Sequence, residues 1–220
     1  MSDNGNIFSD DMARPKTHNS TADRIWNQVK RAADGTVFHS GQFLDLDSRA
    51  SVDQALSRMA KAETLRRLAR GLYYRPRRHP VLGEITPSVD AIAKALAERD
   101  RIKLQPSGAY AANLLRLSEQ VPMRIVFLTD GKPRKISIGK RIIELRRASP
   151  RMMAAAGRMT GLLIAGLRFV GKANVTPGRV AHLRNLLSPA DRRRLIDDLP
   201  LAPVWMHPHF RSIAAEESAK

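Results

Sequence analysis

Residues 48–78 read SRASVDQALSRMAKAETLRRLARGLYYRPRR, and the pattern changes character partway through. Val52, Ala55, Leu56 and Met59 recur at i, i+3, i+4 and i+7, the spacing of a single buried helical stripe. Ala50, Gln54, Ser57, Arg58 and Lys61 then fall on the opposite side. The start of this helix has two readings. Ser48 can be the N-cap, or Ser51 can be, with Gln54 closing a capping box that occupies its side chain. After Glu63 the helical period stops. Thr64 to Leu68 and Leu72 to Arg75 are expected to pair as a hairpin across Arg70-Gly71, the glycine taking a positive φ. Lys61 to Pro80 carries seven basic residues and one acidic residue. A helix followed directly by an arginine-laden hairpin is the order of a winged helix-turn-helix, whose outer helical face enters the major groove. That reading makes Gln54, Ser57, Arg58 and Lys61 the candidate base readers. Arg66, Arg67, Arg70, Arg75, Arg77 and Arg78 become candidate phosphate contacts, since the guanidinium fork suits planar, bidentate pairing.

Outward from this stretch, residues 1–19 lack periodicity and are expected to form a disordered arm. Ser20 or Thr21 starts a helix with Asp23 in its first turn and Ile25, Val29 and Ala32 on one stripe. Thr36-Val37-Phe38 suits a minimal strand and Gly41 to Leu46 a short helix. Residues 20–80 thus read as the DNA-binding domain. Pro76, Gly83 and Pro87 mark 76–87 as a linker. The remainder, 81–220, reads as a larger second domain. Val89, Ile92, Ala93 and Leu96 form a helical stripe, Arg101 to Leu104 a strand, and Gly108 to Leu115 a helix burying Tyr110 and Leu114. Met123 to Leu128, Lys135 to Ile138 and Arg141 to Leu145 read as strands of a small antiparallel meander, with Asp130-Gly131 as a hairpin turn. After about residue 150 the chain reads as helical. Met159, Leu162, Leu163, Gly166 and Phe169 share a face, and Thr176-Pro177 and Ser188-Pro189 start further helices. The expected fold class is α+β, or mixed α/β.

Lys and Arg number 38 against 21 Asp and Glu, a formal net charge of +17. Such a field draws polyanions and speeds their encounter. The chain has no cysteine, which excludes disulfide scaffolds, cysteine zinc sites and thiol catalysis. The acidic, polar N-terminus lacks the basic and apolar regions of a signal peptide, so a cytoplasmic location is expected. The apolar run from Met152 to Val170 is interrupted by Arg158 and Arg168, and its Gly157-x-x-x-Gly161 spacing reads as tight helix packing rather than a membrane span.

No enzyme motif emerges. Gly131-Lys132-Pro133 and Gly139-Lys140-Arg141 lack phosphate-loop spacing and fall at expected hairpin turns. His207-Pro208-His209 has no nearby carboxylate to complete a metal site. Ser107 lacks a nucleophile elbow and is better placed to cap the following helix. The expectation is therefore no catalysis, no metal and no cofactor. Lys140, Arg141, Arg146, Arg147 and Arg151 form a second basic stretch, diluted by Glu144.

Thr36-Val37-Phe38, Asp53 to Met59 and Leu68 to Tyr74, with Pro106 to Asn113, Leu117 to Pro122 and Phe127 to Gly131, together resemble the AbiEi-type antitoxins of type IV toxin-antitoxin and abortive-infection systems. The likeness covers roughly residues 20–150. It implies an N-terminal winged helix that binds inverted repeats in promoter DNA as an autorepressor. It also implies a C-terminal domain that counteracts a neighbouring-gene, nucleotidyltransferase-like toxin, with no membrane involvement and a monomer or weak dimer on DNA. A stand-alone regulator and an RNA-binding module are the alternatives compatible with the same charge.

Overall fold

The computed structural model describes residues 20–79, 83–138 and 141–215. The expected arm, 1–19, lies outside them. The chain is a mixed α/β protein in which short strands alternate with helices and the last third is helical.

The first helix, α1 (Thr21–Arg31), starts at Ser20, whose side chain accepts from the Asp23 amide while Asp23 reaches back to the cap. β1 (Val37–Phe38) follows, then a 3-10 turn at Ser40–Phe43, which is tighter than the expected helix over 41–46. The helix of the decisive stretch, α2, runs Arg49–Lys61 with Ser48 as its N-cap, accepting from the Ser51 amide. Gln54 is therefore free of capping and exposed. β2 (Arg66–Ala69) and β3 (Leu72–Tyr74) form the antiparallel hairpin, and β1 adds on the far side of β3. Gly71 has φ 70°, the conformation that the two-residue turn needs and that a Cβ would strain.

β3 is buried on both faces. Successive side chains of a strand alternate between faces. Phe38 and Tyr73 accordingly join Ile25, Val29, Val52 and Leu56 in one core, beneath α1 and α2. Val37 and Leu72, on the opposite face, join a second core built by α3 (Val89–Asp100) and the central sheet. One small sheet is thus shared by the parts of the chain before and after residue 80. The expected linker is also more ordered than its prolines suggested: β4 (Arg77–His79) and β5 (Gly83–Ile85) pair as a two-stranded ribbon.

The central sheet holds β6 (Leu104–Ser107), β7 (Arg124–Thr129), β8 (Arg134–Ile138) and β9 (Arg141–Arg147) in the order β6-β7-β9-β8. It is not the antiparallel meander that the turn signals implied. β7 and β9 are parallel, because β9 inserts between β7 and β8. Burial explains the insertion: Ile143 and Leu145 are 1% exposed, and a central strand covers them where an edge strand would not. Asp130-Gly131 consequently serves a crossover to β8 rather than a hairpin turn. Asp130 accepts from the Lys103 amide, and a Cβ at Gly131 would come within 2.6 Å of Ile102. The strand expected over 101–104 begins only at Leu104, since Arg101 caps α3 in a left-handed conformation.

α4 (Gly108–Leu114) leaves β6 and packs on α6 (Met159–Val170), which follows the short α5 (Pro150–Met153). The close approach uses Gly166, where a Cβ would meet Leu115 at 2.5 Å, while Gly161 of the same helix lies against Gln105 of β6 and the Ala155 carbonyl. Gly157, one half of the expected small-residue pair, precedes α6 and has nothing within 4 Å of its Cβ position. Because those glycines set which side of α6 faces inward, Phe169, expected on the buried stripe, is 52% exposed, and Leu167 is buried. α7 (Pro177–Leu186), α8 (Pro189–Asp197) and α9 (His207–Ala214) complete a third core around Leu183, Leu195, Met206 and Phe210. Asp198, 6% exposed, ties this bundle together by accepting from Thr160 Oγ1 at 2.8 Å and from Arg158.

Candidate nucleic-acid interface

The face of α2 opposite the buried stripe presents Gln54, Ser57, Arg58 and Lys61 to solvent. The N-terminal end of that helix and the β2–β3 hairpin line the same open groove, with a volume of about 790 Å³. Arg49 and Asp53 come from α2 and Arg67 and Arg70 from the hairpin, while Arg99 and Asp100 end α3 and Arg134 and Lys135 belong to β8. Six cations therefore face two carboxylates across one concave surface. Arg49 pairs with Asp53 at 2.9 Å, and Asp100 holds both Arg99 and Arg134. Burial alone would raise the Asp100 carboxyl, but the hydrogen bonds and charges of Arg99 and Arg134 outweigh it and hold the group below its ordinary range. Arg70 and Lys135 are left without a carboxylate partner among the described residues, and Arg67 reaches only the Ala69 carbonyl at 3.4 Å.

The hairpin is fixed in place. Arg99 Nη1 donates to the Arg70 carbonyl at the turn, so a body residue holds the tip of the ribbon. Arg49, Arg99, Arg134 and Lys135 were not legible as site residues. Arg49 opens α2, whereas Arg99, Arg134 and Lys135 are distant in sequence from the 66–78 run: β2 docks against β8, which carries Arg134 and Lys135, and α3, which ends in Arg99, packs on β1.

The remaining arginines of the run do other work. Arg75, 20% exposed on its side chain, donates to Asp34 at 3.0 Å and to the Lys30 carbonyl, and Arg77 pairs with the other Asp34 oxygen at 2.7 Å. Both fasten the end of β3 and the start of β4 to the C-terminal end of α1. Arg66 is exposed and lies 3.7 Å from Glu63. The Arg78 side chain lies outside the described residues. The second basic stretch is likewise partly neutralised: Glu144 accepts from Arg146 and Arg124, and those two hydrogen bonds lower its pKa to about 2. Lys140 lies outside the described residues.

The other sequence candidates separate from this face. Ser107 ends β6, paired with Val126, and its side chain makes no cap hydrogen bond to α4, contrary to the expected capping role. His207 Nε2 lies 3.2 Å from the Ala202 carbonyl, and His209 packs edge-on against Trp205. Among the described residues no group of three or more His, Asp or Glu is placed to hold a metal ion, and no helix is long and apolar enough to cross a membrane.

Fold and surface together define a mixed α/β protein with a cationic face assembled from both halves of the chain. Residues 24–195 match a family described as a family of unknown function, DUF6088, and the chain belongs to that family. No curated protein and no solved structure matches it.

Proposed function

We propose that this protein is a cytoplasmic, non-enzymatic DNA-binding antitoxin: a winged helix-turn-helix head represses its own promoter, and the rest of the chain counteracts a nucleotidyltransferase-like toxin. The observation that carries the DNA reading is the cationic groove that Arg49 and Asp53 of α2 share with the hairpin, on a helix whose Gln54, Ser57, Arg58 and Lys61 are exposed. In this reading α2 enters the major groove, where Gln54, Ser57, Arg58 and Lys61 meet base edges. Arg66, Arg67 and Arg70 on the hairpin hold phosphates, supported by Lys135. The antitoxin half of the reading rests on the AbiEi-type resemblance.

The test is a salt titration of binding to the chain's own promoter duplex by fluorescence anisotropy. With about four phosphates neutralised, log affinity falls against log salt with a slope near −3 to −4, at roughly −0.9 per phosphate. Arg67→Ala with Arg70→Ala weakens binding to every sequence and reduces the slope by about 2. Arg58→Ala alters sequence preference instead. A double variant with parental slope and affinity rejects the hairpin as a phosphate contact, and tighter binding to structured RNA than to promoter duplex rejects DNA as the partner. For the antitoxin role, the full chain carrying both hairpin substitutions is co-expressed with the neighbouring gene's product. It relieves growth arrest if the two activities are separate.

A further inference from the structure

A second cleft lies away from the cationic face, where β6, α4, α5 and α6 meet the turn at Leu199–Leu201, and its volume is about 510 Å³. Ala155, Ile164, Ala165, Phe169 and Leu201 supply mostly apolar walls. Its size and lining are those of a site for a drug-sized molecule rather than a polymer. Arg151 and Arg168 line it, both exposed, and no carboxylate does. Neither arginine has a carboxylate partner among the described residues. Deeper in the cleft wall, Gln105 is 3% exposed and its Oε1 has no hydrogen-bond partner, which sets it apart from ordinary buried amides. That oxygen lies against Gly161, where a Cβ would approach it to 2.5 Å, so the glycine keeps this wall open.

We propose that this cleft binds a small amphipathic carboxylate, its apolar body against α5 and α6 and its carboxylate held by Arg151 and Arg168. The apolar walls disfavour a nucleotide or other highly charged ligand, whose desolvation they would not compensate. The two guanidinium groups disfavour a cation and select an anion over a neutral lipid, and their fork geometry matches a carboxylate. No residue of α2 or of the β2–β3 hairpin lines the cleft, so this site stands or falls independently of DNA binding.

Isothermal titration of the full chain with decanoate, below its micelle concentration and without DNA, tests the assignment. One saturable site is expected. Arg151→Glu combined with Arg168→Glu weakens decanoate at least tenfold. Arg193→Glu with Arg194→Glu makes the same change of net charge at exposed positions on α8 and leaves binding within twofold. Ala165→Phe fills the cleft and abolishes binding while the urea unfolding midpoint persists. The exposed arginine pair keeps the proposal testable should the larger side chain disturb folding. Absence of saturable binding overturns the proposal, as does decanol binding as tightly as decanoate. Equal loss in the α8 control reduces the effect to the general positive field and also overturns it.

Discussion

Leu72→Ala perturbs a fully buried residue that, with Val37, joins the small sheet to the core of α3 and the central sheet. Leu72 is 0% exposed and sits in the core built with α3 and the central sheet, while its neighbour Tyr73 points into the core beneath α1 and α2. The substitution removes about three buried carbons, a transfer loss of roughly 2.4 kcal/mol at ~0.8 each. The cavity left behind brings the total to about 3–4 kcal/mol, inside the usual range for a buried leucine. For a chain of this length that lowers Tm by roughly 6–16 °C, at about 2–4 °C per kcal/mol. The chain's two tryptophans allow a local reading of the outcome. Trp26 packs on the α1–α2 core and Trp205 on the C-terminal helical core. Single-tryptophan versions, Trp26→Phe and Trp205→Phe, followed by fluorescence in urea, report the two ends separately. Because the sheet is shared, both transitions move together in the Leu72→Ala background. A shift of the Trp26 transition with the Trp205 transition unmoved refutes the shared core.

Three further outcomes follow from named contacts. Glu144 has a folded pKa held near 2 by Arg146 and Arg124, below its unfolded value, so its stabilisation is complete above the ordinary glutamate range and fades as pH falls from there toward about 2. Glu144→Gln is therefore less stable than the parent at neutral pH, and the gap in urea midpoint closes across that acid window. Arg75→Ala removes a cation already neutralised by Asp34, costing about 1 kcal/mol of stability and leaving the salt slope of DNA binding at its parental value. A slope reduced as much as by the hairpin variants would place Arg75 on a phosphate after all. Arg99→Ala frees the hairpin turn from the body, at a cost of about 1–2 kcal/mol, and is read as faster amide exchange at Gly71 and Leu72. Unchanged exchange there would show that the pairing with β3 alone fixes the hairpin.

The elements were legible from sequence wherever their cause is local. Thr176 and Ser188 cap the helices that follow them because a cap acts across three residues. The 3.6-residue stripe of Val52, Ala55, Leu56 and Met59 marked both the buried and the exposed face of α2, and Gly71 marked the hairpin turn. Between Ser48 and Ser51 the fold settles on Ser48 as cap, although both are residue types that suit the position. That choice released Gln54 to the exposed face.

What the tertiary structure alone decided are the relations between elements distant in the chain. A turn signal at Asp130-Gly131 fixes a change of direction but not which strand comes to lie beside β7, and the burial of Ile143 and Leu145 gave that place to β9. The run of arginines at 66–78 was visible, but its division was not. Asp34 neutralises Arg75 and Arg77 from another element, whereas Arg67 and Arg70 remain at the groove. Arg134 and Lys135 reach that groove because β2 docks against β8, and Arg99 because α3 packs on β1. Charge and periodicity report what each residue is and which face of its own element it takes. Its partner across the fold is set by packing, where one strand buried on both faces, β3, holds the 48–78 stretch against the rest of the chain.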